Sequence, residues 1–221
     1  MDVAMHASLT PPEQSDAAQP RLPVRANGRR RYELLLDAAE RLLEQGEGQP
    51  LTIQRLAREA GVPMASVYHF LPSPAAVSVA LSQRYMAGFG ELVMRPVPNR
   101  ERLGWREVIA TLNQRAVTFY REHPYAQKLI LGSDHSWAIR RSDLANNRRI
   151  AGAVVELVAD KFPDVPADVL FEAVVVGISI GDAVFTLSIA EHGEITPALG
   201  QEAALAMCGY LAIKFETTPT D

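Results

Sequence analysis

The residue types that run reactions are sparse and badly spaced in this chain. None of its five histidines (His6, His69, His123, His135, His192) has an acid three residues before it, so the Glu-x-x-His repeat of helical di-iron sites is absent. Cys208 is the only cysteine, which excludes an internal disulfide framework and a cysteine-based zinc site and fits a reducing cytoplasm. No zinc-protease helix, P-loop or nucleophile elbow occurs. An enzyme, a metal site and a cofactor are therefore not expected. Contact chemistry is better represented. Arg21, Arg25, Arg29, Arg30 and Arg31 crowd one short segment without an acid, whereas residues 1–20 hold Asp2, Glu13 and Asp16 and no Lys or Arg. Such a cluster suits a phosphate backbone, although a solvated Arg-rich leader has the same composition.

What decides between those readings is the segment that follows, Leu51 to Ser73. Thr52 is placed as an N-cap, and Ile53, Leu56, Ala57 and Ala60 form one apolar face. Gly61 is a left-handed stop, and Val62 and Pro63 launch a second short helix with Val67 and Phe70 inward. Two short helices joined by a tight turn are a helix-turn-helix, whose second helix lies in the major groove of DNA. Ser73-Pro74 then caps and starts a longer helix.

From about Gly28 to Gly88 the chain resembles the DNA-binding domain of the TetR family of bacterial transcriptional regulators. The resemblance is carried by LLLDAAERLLEQG, LTIQRLAREAGV and SVYHFLPSPAAV, and the region they mark out covers roughly a quarter of the chain. It implies an all-α fold, with an N-terminal three-helix head carrying the helix-turn-helix and a C-terminal bundle for ligand binding and dimerisation. The expected divisions are 1–27 disordered and Arg-rich at its end, 28–90 the DNA-binding domain, and 100–221 the ligand-binding and dimerisation domain.

The rest of the chain reads as helices. The first helix is expected from about Arg29 to Gln45, with Leu35, Ala38, Ala39, Leu42 and Leu43 buried. The helix after Ser73-Pro74 ends before Pro96 and Pro98, His123-Pro124 closes the next, and a short one runs from Tyr125 to Leu131. A helix over about Ser136 to Lys161 has an Arg-rich first half. Pro166 to Glu191 is the most apolar stretch, and a membrane span is the obvious alternative. Asp182 at its centre would cost about 2.5–3.5 kcal/mol on insertion scales, so a buried helix of a bundle is the better reading and no membrane is expected. The last helix covers about Pro197 to Phe215.

Functional residues follow from the residue types and the resemblance together. Ser66, Tyr68 and Ser73 resemble positions that face phosphates, joined by Arg29, Arg30, Arg31 and Thr52, and the helix start at Ser73 adds free N–H groups. Gln54, Met64, Ala65 and His69 are the candidates for base edges: an amide for adenine, apolar groups for a thymine methyl. Met64 and Ala65 could equally be helix filler, and Tyr68 could pack inside the head. Two positions depart from the family pattern: Pro63 stands where a Ser or Thr cap is usual, and Pro74 where a Lys is. The resemblance also implies an effector pocket, for which Trp105, Phe119, Tyr120, His123, Tyr125, His135 and Trp137 are candidates, though each could be ordinary core. It implies a homodimer through the last two long helices, with Val174, Gly177, Ile178, Gly181, Phe185, Ala203, Met207 and Tyr210 as interface candidates. The glycines could instead serve packing within the chain. The function so implied is a cytoplasmic repressor released from an inverted-repeat operator in double-stranded DNA by a small-molecule effector. The alternative is a helix-turn-helix adaptor controlled by a protein partner.

Overall fold

The computed structural model describes residues 19–45, 50–132 and 136–216. Among the described residues every regular element is helical: α1 (Ala26–Gln45), α2 (Ile53–Ala60), α3 (Met64–Phe70), α4 (Pro74–Val93), α5 (Trp105–Glu122), α6 (Pro124–Leu131), α7 (Trp137–Val158), α8 (Ala167–His192) and α9 (Pro197–Phe215). The all-α architecture is the one expected.

Local chemistry sets most of the boundaries. The Thr52 hydroxyl accepts from the Arg55 N–H at 3.2 Å and the Ser73 hydroxyl from the Ala76 N–H at 3.1 Å, each satisfying a backbone donor that a helix start leaves free. Gly61 closes α2 at φ 62°, a region that costs an L-residue about 1–2 kcal/mol. Pro63 precedes α3 without a side-chain cap bond, as its chemistry requires. Between α3 and α4 the chain bends by 65°.

Helices α1 to α3 pack on one another and on the start of α4, burying Leu35, Leu56, Val67, Leu71 and Val77 completely. Each such aliphatic side chain contributes on the order of 1.5–3 kcal/mol. Helix α4 then joins this head to the body. Its Arg84 pairs with Asp37 of α1 at 2.6 Å and with Glu40 at 3.6 Å, while the Tyr85 hydroxyl donates to Glu40 at 2.6 Å. In the body α8 lies against α7 and α9 and also meets α6, while α4 packs on α7 and α5, and α5 packs on α9. Helix α8 is long and apolar enough by composition to cross a membrane, yet here Leu170, Ala173, Val174, Gly181 and Phe185 are buried against the other helices.

One expected boundary moves. The first helix begins at Ala26 rather than near Arg29, and the residues just before it lie against the head instead of trailing as a disordered leader. The Arg21 N–H donates to the Phe70 carbonyl at 2.8 Å. Gly28 sits so close to Pro23 that a Cβ there would lie 3.1 Å from the proline Cβ. Residues 1–18 lie outside the described residues, so the expectation of disorder there meets no observation.

Candidate nucleic-acid interface and effector cavity

The α2–α3 unit turns two of its faces in opposite directions. Ile53, Leu56, Val67 and Phe70 go inward, while Gln54, Met64, Ala65, Tyr68 and His69 are exposed and Ser66 is half-buried. Met64 and Tyr68 are 37% and 47% exposed. Tyr68 therefore does not pack inside the head, and His69 touches the core only through an edge contact of its ring with Phe70, 4.8 Å between centroids. Thr52 and Ser73 are half-buried, their oxygens serving as caps. The Thr52 hydroxyl, which accepts through its oxygen, still has a proton to donate.

Charge reinforces the asymmetry. Between Glu59 and Glu91 the chain has no acid, so α3 and the start of α4 present no negative side chain. Arg29, Arg30 and Arg31 are all exposed in the first turns of α1. The Arg29 guanidinium donates to the Val24 carbonyl at 2.5 Å, tying the preceding segment to the helix and leaving its charge outside.

Within the body, α4, α5, α7, α8 and α9 line a partly open cavity of about 60 Å³. Its walls are apolar, including Phe89, Ile109, Ile150, Phe185 and Met207, apart from three polar side chains: Asn113, Asn147 and Asp182. Asn113 donates to the Gly200 carbonyl at 2.8 Å, fixing α5 to α9. Asn147 donates to Asp182 at 2.7 Å. Burial first, and then the neighbouring Asp143 carboxylate, push the Asp182 carboxyl up to about 7, against the Asn147 hydrogen bond and the Arg140 charge. Burial first, and then the same two carboxylates, raise the Tyr120 phenol well above its ordinary value.

The aromatic residues expected to line a pocket do not line this one. Phe119 and Tyr120 stand behind its wall, each 5.3 Å from Phe89 between ring centroids, with Tyr120 6.3 Å from Phe185. His123 stacks on Phe119 at 4.5 Å and faces Tyr85 at 5.8 Å. Trp105 is buried at the other end of the bundle against Phe162, with its indole N–H donating to Glu216 at 3.0 Å. Tyr125 lines a separate surface groove near Ser78 and Lys128, Trp137 is 48% exposed, and His135 lies outside the described residues. Aromatic type alone selects side chains that pack on one another. The polar groups that do enter the cavity, Asn113, Asn147 and Asp182, are not among the sequence candidates. A lone acid inside the most apolar helix is the signal that could have found them.

The residues expected at a dimer seam fall into two groups. Val174, Gly177, Gly181, Phe185 and Ala203 are buried within the chain, and Ile178, Met207 and Tyr210 are half-buried. Gly181 admits Met207: a Cβ there would lie 2.8 Å from its sulfur, so this glycine serves the α8–α9 contact inside the chain. The outward face of the same two helices carries Val176, Leu187, Leu205 and Ile213, exposed by 42%, 47%, 63% and 70%.

Comparison with known proteins agrees with this geometry. A family model described as the tetracyclin repressor-like C-terminal domain matches residues 103–215, half of the chain and all of the helices from α5 to α9. The chain belongs to the TetR family. No curated protein matches it. Among solved structures, a TetR-family transcriptional regulator from Streptomyces coelicolor is 25% identical, with 83% of this chain and 98% of that one covered and a TM-score of 0.58. A TetR regulator from Rhodococcus sp. RHA1 shares the fold at 16% identity, covering 84% and 97%, with a TM-score of 0.63. The multidrug binding protein EbrR complexed with imidazole does so at 18% identity, covering 91% and 100%, with a TM-score of 0.59. In this TetR-family transcriptional regulator the exposed α2–α3 face and the body cavity are separate places, joined by α4.

Proposed function

We propose that the protein is a cytoplasmic, homodimeric repressor that binds an inverted repeat in double-stranded DNA and is released by a small-molecule effector. The observation that carries this reading is the acid-free, outward face of α3, which exposes Met64, Ala65, Tyr68 and His69 while Val67 and Phe70 hold the helix to the core. A short exposed helix of this kind suits the major groove. Met64, Ala65 and His69, with Gln54 from α2, read base edges. Thr52, Ser66, Tyr68, Ser73 and Arg29 to Arg31 hold phosphates and fix register.

Two copies meet through the exposed apolar face of α8 and α9, where Val176, Leu187 and Leu205 otherwise stand in water. An effector in the cavity acts by its differential affinity for two spacings of the heads. Helix α4 transmits the difference: it lines the cavity with Phe89 and Val93 and grips α1 through Arg84 and Tyr85. The test is in vitro transcription from a template whose promoter overlaps a site that the protein binds. The reading expects transcript to fall as protein is added. Unchanged or increased transcript at saturating protein contradicts it.

A further inference from the structure

We propose that the body cavity takes a cationic ligand with an apolar body, its positive charge seated against the Asp182 carboxylate. This names the effector class within the regulatory reading above and rests on it for its biological meaning. The chemistry of the walls supports it. Apart from Asp182 the polar lining side chains are Asn113 and Asn147, each of which donates one amide N–H, to the Gly200 carbonyl and to Asp182 itself. None of the described residues lining the cavity is Lys, Arg or His. The guanidinium that acts on Asp182, Arg140, is also engaged by Asp143 at 2.8 Å. An anion entering here meets repulsion from the Asp182 carboxylate, and a neutral molecule brings it no counter-charge. A cation pairs with it in low-dielectric surroundings, where the Coulombic attraction is stronger than in water.

The rings and the geometry of access agree. Phe89 and Phe185 both line the cavity and can offer their faces to a cation. At about 60 Å³ the space is below the roughly 150 Å³ that admits a benzene ring, so a ligand must displace a wall. Met207 is the side chain best able to yield, being half-buried, unbranched and pressed against Gly181.

Protonation provides a signature. The groups facing Asp182 are Tyr120 from α5, and Asn147, Asp143 and Arg140 from α7; α4 and α9 contribute Phe89, Val93, Met207 and Leu211, none charged. With the carboxyl titrating near 7, a permanent cation must displace a proton at pH 6 and need not at pH 8. Affinity should rise about tenfold between them.

The experiment is calorimetric titration of the full chain with benzyltrimethylammonium, its uncharged isostere neopentylbenzene, and phenylacetate, at pH 6 and pH 8. The expected result is a cation bound at least tenfold more tightly than the isostere at pH 8, with the pH dependence above. Asp182→Asn should erase both the preference and the pH dependence while binding the isostere as before, which shows the cavity intact. Equal or tighter binding of the isostere or of phenylacetate overturns the proposal, as does no binding by any of the three, or a cation preference that survives Asp182→Asn. Should that variant misfold, the pH profile of the unaltered protein carries the same test, and a flat profile overturns it. None of these outcomes depends on DNA, so the ligand class and the regulatory reading can fail separately.

Discussion

Ser73 is asked to do two jobs, and two substitutions separate them. Its hydroxyl oxygen caps α4 by accepting from the Ala76 N–H at 3.1 Å, and the proposed interface has the same hydroxyl facing a phosphate. Ala removes both functions. Asp retains the cap, because it is as good an N-cap as Ser and its charge suits the helix N-terminus, but it sets a carboxylate against the phosphate. Loss of the cap costs about 1 kcal/mol, a fall of about 2–4 °C in Tm for a chain of this size. A carboxylate about 4 Å from a phosphate is repelled by roughly 1 kcal/mol in water and 4 at an effective dielectric constant of 20. Taking about 2 kcal/mol in each of two half-sites gives about 4, or close to a thousandfold weaker binding. Ser73→Ala should therefore melt earlier and bind DNA slightly worse, whereas Ser73→Asp should melt as the unaltered protein does and bind far worse, recovering relatively as salt is raised. Melting is followed by circular dichroism and binding by fluorescence anisotropy on a selected duplex. If Ser73→Asp binds normally, Ser73 does not face a phosphate. If it melts as early as Ser73→Ala, the cap does not hold the helix start.

Four further outcomes follow from particular residues. Gly61 has φ 62°, and a Cβ placed on it would meet nothing within 4 Å. Gly61→Ala should therefore cost about 1–2 kcal/mol from backbone alone and Gly61→Asn clearly less, as thermal melts would show; equal losses would refute the left-handed cap. Replacing Arg29, Arg30 and Arg31 together by Gln should flatten the slope of log affinity against log salt by up to about 0.9 for each phosphate no longer neutralised; an unchanged slope removes them from the interface. Leu205→Glu combined with Leu187→Glu places charge on the exposed α8–α9 face and should yield a folded monomer by light scattering, while a persisting dimer would put the interface elsewhere. For Asp182 the folded carboxyl is raised from 3.8 to about 7, so the folded chain holds the proton more tightly than the unfolded one. The stability this confers is complete below the unfolded value and is lost as pH rises through 7. Asp182→Asn should accordingly raise Tm at pH 8, with the gain shrinking towards pH 5; a gain independent of pH would contradict the buried carboxyl.

The parts of the fold that are legible in the sequence are those whose causes are local. Thr52, Gly61, Ser73 and Pro74 each act on backbone within a turn of themselves, so their roles can be read from residue type and spacing. Helix faces are legible for the same reason: Leu35, Leu56, Val67 and Phe70 fall at helical intervals and are buried. What is not legible depends on partners distant in the chain. The Arg21 backbone bond to Phe70, which holds the segment before α1 against the head, is announced by no periodicity. The cavity needs five helices to be assembled before its lining exists, so aromatic residues can be ranked only by type. Gly181 illustrates the limit: a small residue signals close approach, but only the position of Met207 says that the approach is within the chain.

The central claim is that the exposed face of α3 reads DNA and that two copies do so about a two-fold axis. Selection of bound duplexes from a random pool, with the full chain at physiological salt, tests it most directly. The account predicts enrichment of an inverted repeat whose half-sites are related by that axis, with enrichment lost when Tyr68 and His69 are replaced by Ala. Recovery of single half-sites, of direct repeats or of no common sequence would contradict it.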